Sequence, residues 1–266
     1  MLHTRHPQTW RIGDLSLSVK TRNIGKVFSQ THTTRFKNLL VSGCSFTYNN
    51  SDSDICTWPY YLRDLAGFDN VYDVSQSGTG SNHIFNSVVY ECETNPFVDP
   101  SNTLIIVMWS GLTRTDVIAE QSVTKDWHFM SNYCFDSKFA TLSIFNQATD
   151  RTAIDELCKQ YKKIVSPNAQ IIESLIKVQA LRHYLKSKGF NFVFLSWMDP
   201  EQELARVNTT LTMVTDPVPY LDGFARKHTL REPDGHPSPD GHLAWTRECL
   251  IPYLSAERLA TDLKAV

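Results

Sequence analysis

Read for hydrophobic and polar positions, the chain alternates short, continuous apolar runs with longer stretches in which apolar residues recur every third or fourth position. The first strong run, Asn38-Leu39-Leu40-Val41-Ser42-Gly43, predicts a buried strand that stops at Gly43 and delivers Cys44-Ser45-Phe46-Thr47 into a loop. Trp58 to Ala66 has helical spacing, and Val71 to Val74 reads as a short strand running into the loop Ser75-Gln76-Ser77-Gly78-Thr79-Gly80-Ser81-Asn82. His83 to Tyr90 continues as a helix. Thr103 to Trp109 is an unbroken apolar run of the kind buried in the middle of a parallel sheet, and it ends in Ser110-Gly111-Leu112-Thr113-Arg114. Two helices are predicted near Thr152–Val165 and Asn168–Lys188, the second burying Ile172, Leu175, Ile176, Gln179 and Leu185, with Gly189 as its C-cap. Phe190 to Trp197 supplies another core strand, and Leu243 to Leu254 a final helix interrupted near Pro252.

Strands that alternate with helices imply a mostly parallel central sheet with helices on both faces, an α/β three-layer sandwich. Residues 1–37 are polar and mixed, with a strand-like alternation at Leu15, Leu17 and Val19, and read as an N-terminal extension to one domain over 38–266. Within that domain, about 115–150 is a long irregular insertion carrying Trp127, Phe129, Tyr133 and Phe135. Compact domains usually reserve such stretches for lids or binding loops, so it is expected to cover the site.

Composition narrows the function classes. The 266 residues are 41% hydrophobic and 20% charged, enough to bury a full core. A formal charge of -2, from 26 basic and 28 acidic residues with no basic run, disfavours nucleic acid as a partner. The N-terminus lacks an apolar stretch of signal-peptide length and no segment is long and apolar enough to span a membrane, so the expected location is cytoplasmic. Six cysteines without a C-x-x-C pair argue against structural zinc, and no metal or cofactor is expected. Cys44 reads as a small buried hydrophobe, with a reactive thiol as the alternative.

A serine hydroxyl is a poor nucleophile until a base removes its proton, and an imidazole held by a carboxylate is the usual base. Ser45 stands at the C-terminal end of a predicted strand, where open α/β sheets place their ligand crevice. Two histidines and two aspartates stand together in Pro233-Asp234-Gly235-His236-Pro237-Ser238-Pro239-Asp240-Gly241-His242, a Gly/Pro-rich loop before the last helix. Of its two imidazoles, His236 is assigned as base with Asp234 as its orienter. His242 begins the helix and reads as a capping or packing residue.

Gly43-Cys44-Ser45-Phe46-Thr47 resembles the first motif of SGNH (GDSL-like) hydrolases, and Asp234-Gly235-His236-Pro237 resembles their last. The resemblance covers short islands from Asn38 to the final helix and implies an SGNH, flavodoxin-like fold. It also implies Ser45 as nucleophile, the Asp234/His236 pair near the C-terminus, and Gly78 as the second-motif oxyanion donor. Two departures stand out. Where the family places an Asn after a strand, this chain reads Trp109-Ser110-Gly111-Leu112-Thr113-Arg114, so the substitute donor would be Ser110, Thr113, Arg114 or Asn82. The family commonly sets its Asp three residues before His, whereas Asp234 precedes His236 by two. Arg114 is also open to a plain surface ion-pair reading, and Gly80 to one of backbone conformation alone.

The function this implies is ester hydrolysis, with O-acetyl or other small acyl esters on a carbohydrate as the substrate class. Two alternatives stand beside it: O-acyl transfer on the same fold, and a catalytically silent SGNH-fold module that binds glycan or serves a structural role.

Overall fold

The computed structural model describes residues 9–12, 15–18, 35–48, 56–114, 116, 160, 163–211, 213 and 215–256. Two short strands, β1 (Thr9–Ile12) and β2 (Leu15–Ser18), pair antiparallel as a hairpin. The domain itself runs through β3 (Asn38–Gly43), α1 (Trp58–Ala66), β4 (Asn70–Asp73), α2 (Ser81–Thr94), β5 (Thr103–Trp109), α3 (Pro167–Lys188) and β6 (Asn191–Ser196). It closes with α4 (Glu201–Leu204), α5 (Leu221–Lys227), α6 (Pro239–Trp245), a π turn over Thr246–Leu250 and α7 (Ile251–Ala256).

Strands β3 to β6 form a four-stranded parallel sheet in the order β4-β3-β5-β6. Every residue of β3 and β5 is buried, which is why these strands read as continuous apolar runs. Their side chains alternate between two cores. Leu39, Val41, Leu104, Ile106, Met108, Val193 and Leu195 join α1, α5, α6 and α7 through Trp58, Leu62, Leu221, Trp245 and Leu254. Leu40, Ile105, Val107, Trp109 and Phe194 join α2 and α3 through Ile84, Val88, Ile171, Leu175, Val178 and Leu181. The architecture is therefore α/β, with a central parallel sheet covered by helices on both faces.

The strand order creates the crevice. From β3 the chain moves outward to β4 through α1 on one face, then returns past β3 to β5 through α2 on the other. The loops leaving β3 and β5 thus diverge at adjacent strand ends, the switch point where open sheets bind ligands. The outer edge of β6 is covered by Asp216, whose N–H donates to Phe194 O at 2.7 Å and whose carboxylate accepts from Phe194 N–H at 2.6 Å.

Three sequence expectations need correction. Helix α3 buries Ile171, Ser174, Leu175, Val178, Leu181 and Leu185, while Ile172 and Ile176 are 38% and 51% exposed. Isoleucines at 171, 172 and 176 with Leu175 allow two overlapping stripes, and packing against α2 and the sheet selects the one through Ile171 and Val178. The last helix begins at Pro239 rather than Leu243. Ser238 caps it by accepting from Gly241 N–H, and Pro239 takes the first-turn position where a missing N–H is harmless. Its interruption is the π turn ahead of Pro252, which has no N–H to continue an α ladder. Finally, the core takes in Phe36, 2% exposed, one residue inside the expected extension. The insertion about 115–150, apart from Asp116, and most of the helix expected over 152–165 lie outside the described residues. Among the described residues, no helix is long and apolar enough to cross a membrane.

Candidate functional site

Ser45 owes its position to Gly43. A Cβ at Gly43 would collide with the Thr47 side chain and come within 3.0 Å of Met108 O, so only glycine lets the chain fold back at the end of β3. The turn is closed by Thr47 and Tyr48, whose N–H groups both donate to Cys44 O at 2.9 Å. Ser45 is left half-buried at its tip, while Cys44 faces the core with no exposed surface, the packing role expected of it. Gly43 O accepts from Gln76 N–H at 3.0 Å and from the Thr79 hydroxyl at 3.2 Å. Those bonds tie the serine turn to the loop after β4, in which Gly78 adopts φ of 78°, a left-handed conformation natural to glycine.

The loop before α6 is a tight hairpin. Arg231 bridges Pro237, Glu232 N–H donates to His236 O at 2.8 Å, and Gly235 N–H donates to Glu232 O at 2.9 Å. Beneath it, Asp222 pairs with Arg231 at 2.7 Å and Arg226 at 2.9 Å. At the tip, one carboxylate does two jobs: Asp234 accepts from the His236 backbone N–H at 2.9 Å and lies 3.1 Å from His236 Nδ1. An aspartate bonded to the N–H two residues on is an Asx turn, and Gly235 completes it with φ of 91°. The two-residue spacing, a departure from the SGNH pattern, is therefore the spacing that lets the acid reach the imidazole locally. The His236 N–H, chiefly, holds the Asp234 carboxyl below the usual range.

His236 Nε2 lies 2.8 Å from Ser45 Oγ. An ionised carboxylate can only accept, so Nδ1 carries the proton toward Asp234 and Nε2 is free to accept from the serine hydroxyl. The group is open to solvent, with side-chain exposures of 40% for His236 and 68% for Asp234. Phe46 flanks the imidazole with ring centroids 5.0 Å apart and stacks on Trp197 at 4.2 Å. Arg114 then places its guanidinium carbon 5.7 Å above the Trp197 ring. Phe46, Trp197 and Arg114 form one wall beside the imidazole.

The sequence-derived oxyanion candidates separate on their partners. The Asn82 amide donates to Glu173 on α3 at 3.4 Å, and the Thr113 hydroxyl to Glu203 at 3.1 Å, so both side chains are engaged in tying elements together. Ser110 is 4% exposed, and its hydroxyl has no hydrogen-bond partner among the described residues. Arg114 belongs to the aromatic wall. His242 is buried in α6 and its neighbour Ser238 is the cap, so packing is its role. Among the described residues, no group of three or more His, Cys, Asp or Glu side chains could hold a metal ion.

Sequence reading passed over Trp197, Glu203 and Asp116. The signal for Trp197 was present: a large aromatic one residue beyond the end of β6, at the same edge as Ser45. Glu203 and Asp116 act on backbone N–H groups far along the chain, a relation with no periodicity to betray it. No protein-family model matches the chain, and a search of curated proteins finds no match.

Proposed function

We propose that this chain is a serine esterase of the SGNH type, acting on small acyl esters, with O-acetyl groups on carbohydrate as the substrate class. The observation that carries the reading is the continuous contact from Asp234 through His236 to Ser45, with the imidazole held in the tautomer a general base requires. In the proposed reaction, Ser45 Oγ attacks the acyl carbon as His236 Nε2 takes its proton. His236 then gives that proton to the leaving alcohol; water, deprotonated by the same nitrogen, attacks the acyl carbon, and the acyl–Oγ bond breaks as His236 returns this second proton to Ser45 Oγ. Asp234 keeps the imidazole oriented and stabilises its charged form. Backbone N–H groups of Ser45 and Gly78 are assigned to the oxyanion; each such donor is worth about 10²- to 10³-fold in rate.

The test is a fluorophosphonate probe, which modifies activated serines, followed by peptide mapping in the parent, Ser45→Ala and His236→Ala proteins. The reading expects one adduct, on Ser45, abolished in both variants, and release of acetate from acetylated sugars by the parent. Acyl transfer to an added alcohol in preference to water would move the assignment to an acyltransferase. A folded parent with an unlabelled Ser45 would leave a glycan-binding module in its place.

A further inference from the structure

The loops that follow β4 and β5 are joined by a single carboxylate. Asp116, 8% exposed, accepts from Gly80 N–H at 2.6 Å with one oxygen and from His83 N–H at 2.8 Å with the other. Gly80 is the N-cap residue of α2 and has no side chain to satisfy the helix's first N–H groups, so a residue more than thirty positions away does so. The loops also meet backbone to backbone: a Cβ on Gly80 would stand 2.6 Å from Arg114 O. Close approach, rather than unusual φ, is what demands glycine there. From the other side, Glu203 of α4 accepts from Leu112 N–H at 2.8 Å and from the Thr113 hydroxyl at 3.1 Å. Ser174 of α3 donates to Leu112 O at 2.8 Å. The Arg114 loop is thereby held between carboxylates, and Gly78 lies two residues before the point where Asp116 grips its neighbour.

We infer that Asp116 is a positioning residue for the esterase site, holding the Gly78 loop and the Arg114 loop in the register that lets Gly78 face the oxyanion and Arg114 close the wall beside His236. The inference rests on the esterase reading. The partners of Asp116, the N–H groups of Gly80 and His83 together with that of Asn82, are all donors, so the grip needs a group that accepts on both oxygens; an amide of the same shape would turn an NH₂ toward at least one of these N–H groups. Burial pushes the Asp116 carboxyl up to about 6, against the pull of the His83 and Gly80 N–H groups and of Arg114. Among the described residues, the other ionisable groups around these loops include His83, whose buried ring turns to Val74 O, Glu173 opposite Asn82, Asp73, which accepts from Ser75 N–H, and Glu203. The two-sided grip is accordingly intact above about pH 6 and is lost as pH falls through that value, when one oxygen becomes a donor.

The experiment compares parent and Asp116→Asn for hydrolysis of an activated acetyl ester, with amide exchange at Gly80 and His83 measured in both. Expected are a kcat loss of about 10- to 100-fold with KM nearly unchanged, and exchange at both amides faster by about tenfold or more. An active parent whose Asp116→Asn variant is equally active and equally protected overturns the inference and leaves the esterase reading standing. A parent that neither labels nor turns over ester removes that reading and this inference with it. If the variant does not fold, the parent decides alone: the Gly80 and His83 amide resonances must titrate together with a midpoint shared by an inflection in kcat. Independent movement of the two amides overturns the inference.

Discussion

Asp234 and His236 are joined twice, once through the backbone N–H of His236 and once through its ring, and the first of these bonds is made whatever the imidazole is doing. The carboxylate therefore orients the imidazole by fixing the turn on which it stands as well as by facing Nδ1. With 68% of its side chain exposed, Asp234 also shares its charge with water, which weakens the ring contact relative to a buried acid.

Asp234→Asn should for that reason cost less than removing the acid of a buried triad. Asparagine keeps the Asx turn but no longer fixes the tautomer, and a loss of about 10- to 100-fold in kcat is expected, below the ~10⁴ of a buried acid. Asp234→Ala removes both contacts and should cost more than Asp234→Asn. Steady-state kinetics of the two variants would decide; equal losses would show that the turn contributes nothing.

Stability should fall as pH drops from about 6.5 to 4. Burial pushes His83 down to about 4 and His242 to about 3, from an ordinary value of 6.5. Between those values the unfolded chain binds protons the folded one refuses, so stability is full above 6.5 and is lost on acidification, at up to about 1.4 kcal/mol per pH unit for each histidine. Asp116, raised to about 6 by burial, works in the opposite sense, since its folded form takes up a proton first. Glu91, whose carboxyl burial also raises, acts with Asp116, and the two histidines, displaced across this whole range, outweigh them. Urea midpoints measured across this range should decline toward acid, and His242→Leu should flatten the decline.

Two glycines in neighbouring helices should respond in opposite directions. A Cβ on Gly241 would stand 2.6 Å from Leu230 O, so Gly241→Ala presses α6 away from the strand end of the His236 hairpin. A loss of about 1–3 kcal/mol and slower probe labelling at Ser45 are expected. Gly223, in α5, has open space within 4 Å of the same position, and Gly223→Ala should gain about 0.5–1 kcal/mol with labelling unchanged. Denaturant midpoints and labelling rates check both.

Asp222→Ala should release the hairpin from below. It strips Arg231 and Arg226 of their shared carboxylate, and Arg231 is only 28% exposed. A cost of about 2–3 kcal/mol is expected, short of the range for a fully buried pair. Because Arg231 also bridges Pro237, kcat should fall further than the loss of folded protein explains. Active-site titration, which counts competent sites, separates the two effects.

How much of this was legible in the sequence depended on whether the constraint was local. Strands β3 and β5 were readable to the residue because both their faces are buried, leaving no exposed position to blur the ends. The meeting of Ser45 with the Asp234/His236 pair could be anticipated because each sits in a short motif at a strand or helix end. The buried stripe of α3 was not, because adjacent isoleucines at 171 and 172 satisfy a helical period equally well, and only the neighbouring helix distinguishes them. The wall of Phe46, Trp197 and Arg114 draws on three separate loops, and the grip of Asp116 on backbone N–H groups has no sequence pattern at all.

The Asx turn at 234–236 has a kinetic consequence. Carboxylate and imidazole are two residues apart and can meet as soon as the hairpin forms, on the microsecond scale of such local events. Their contact with Ser45 spans 191 positions and must wait for β3, β5 and α6 to assemble. During refolding, reactivity toward the probe should therefore appear with the long-range docking of the hairpin onto the strand ends, after the hairpin itself is complete. The hydroxyl of Ser45 is in effect a clock for the final assembly of the chain, and its labelling rate reads the last stage of folding rather than the first.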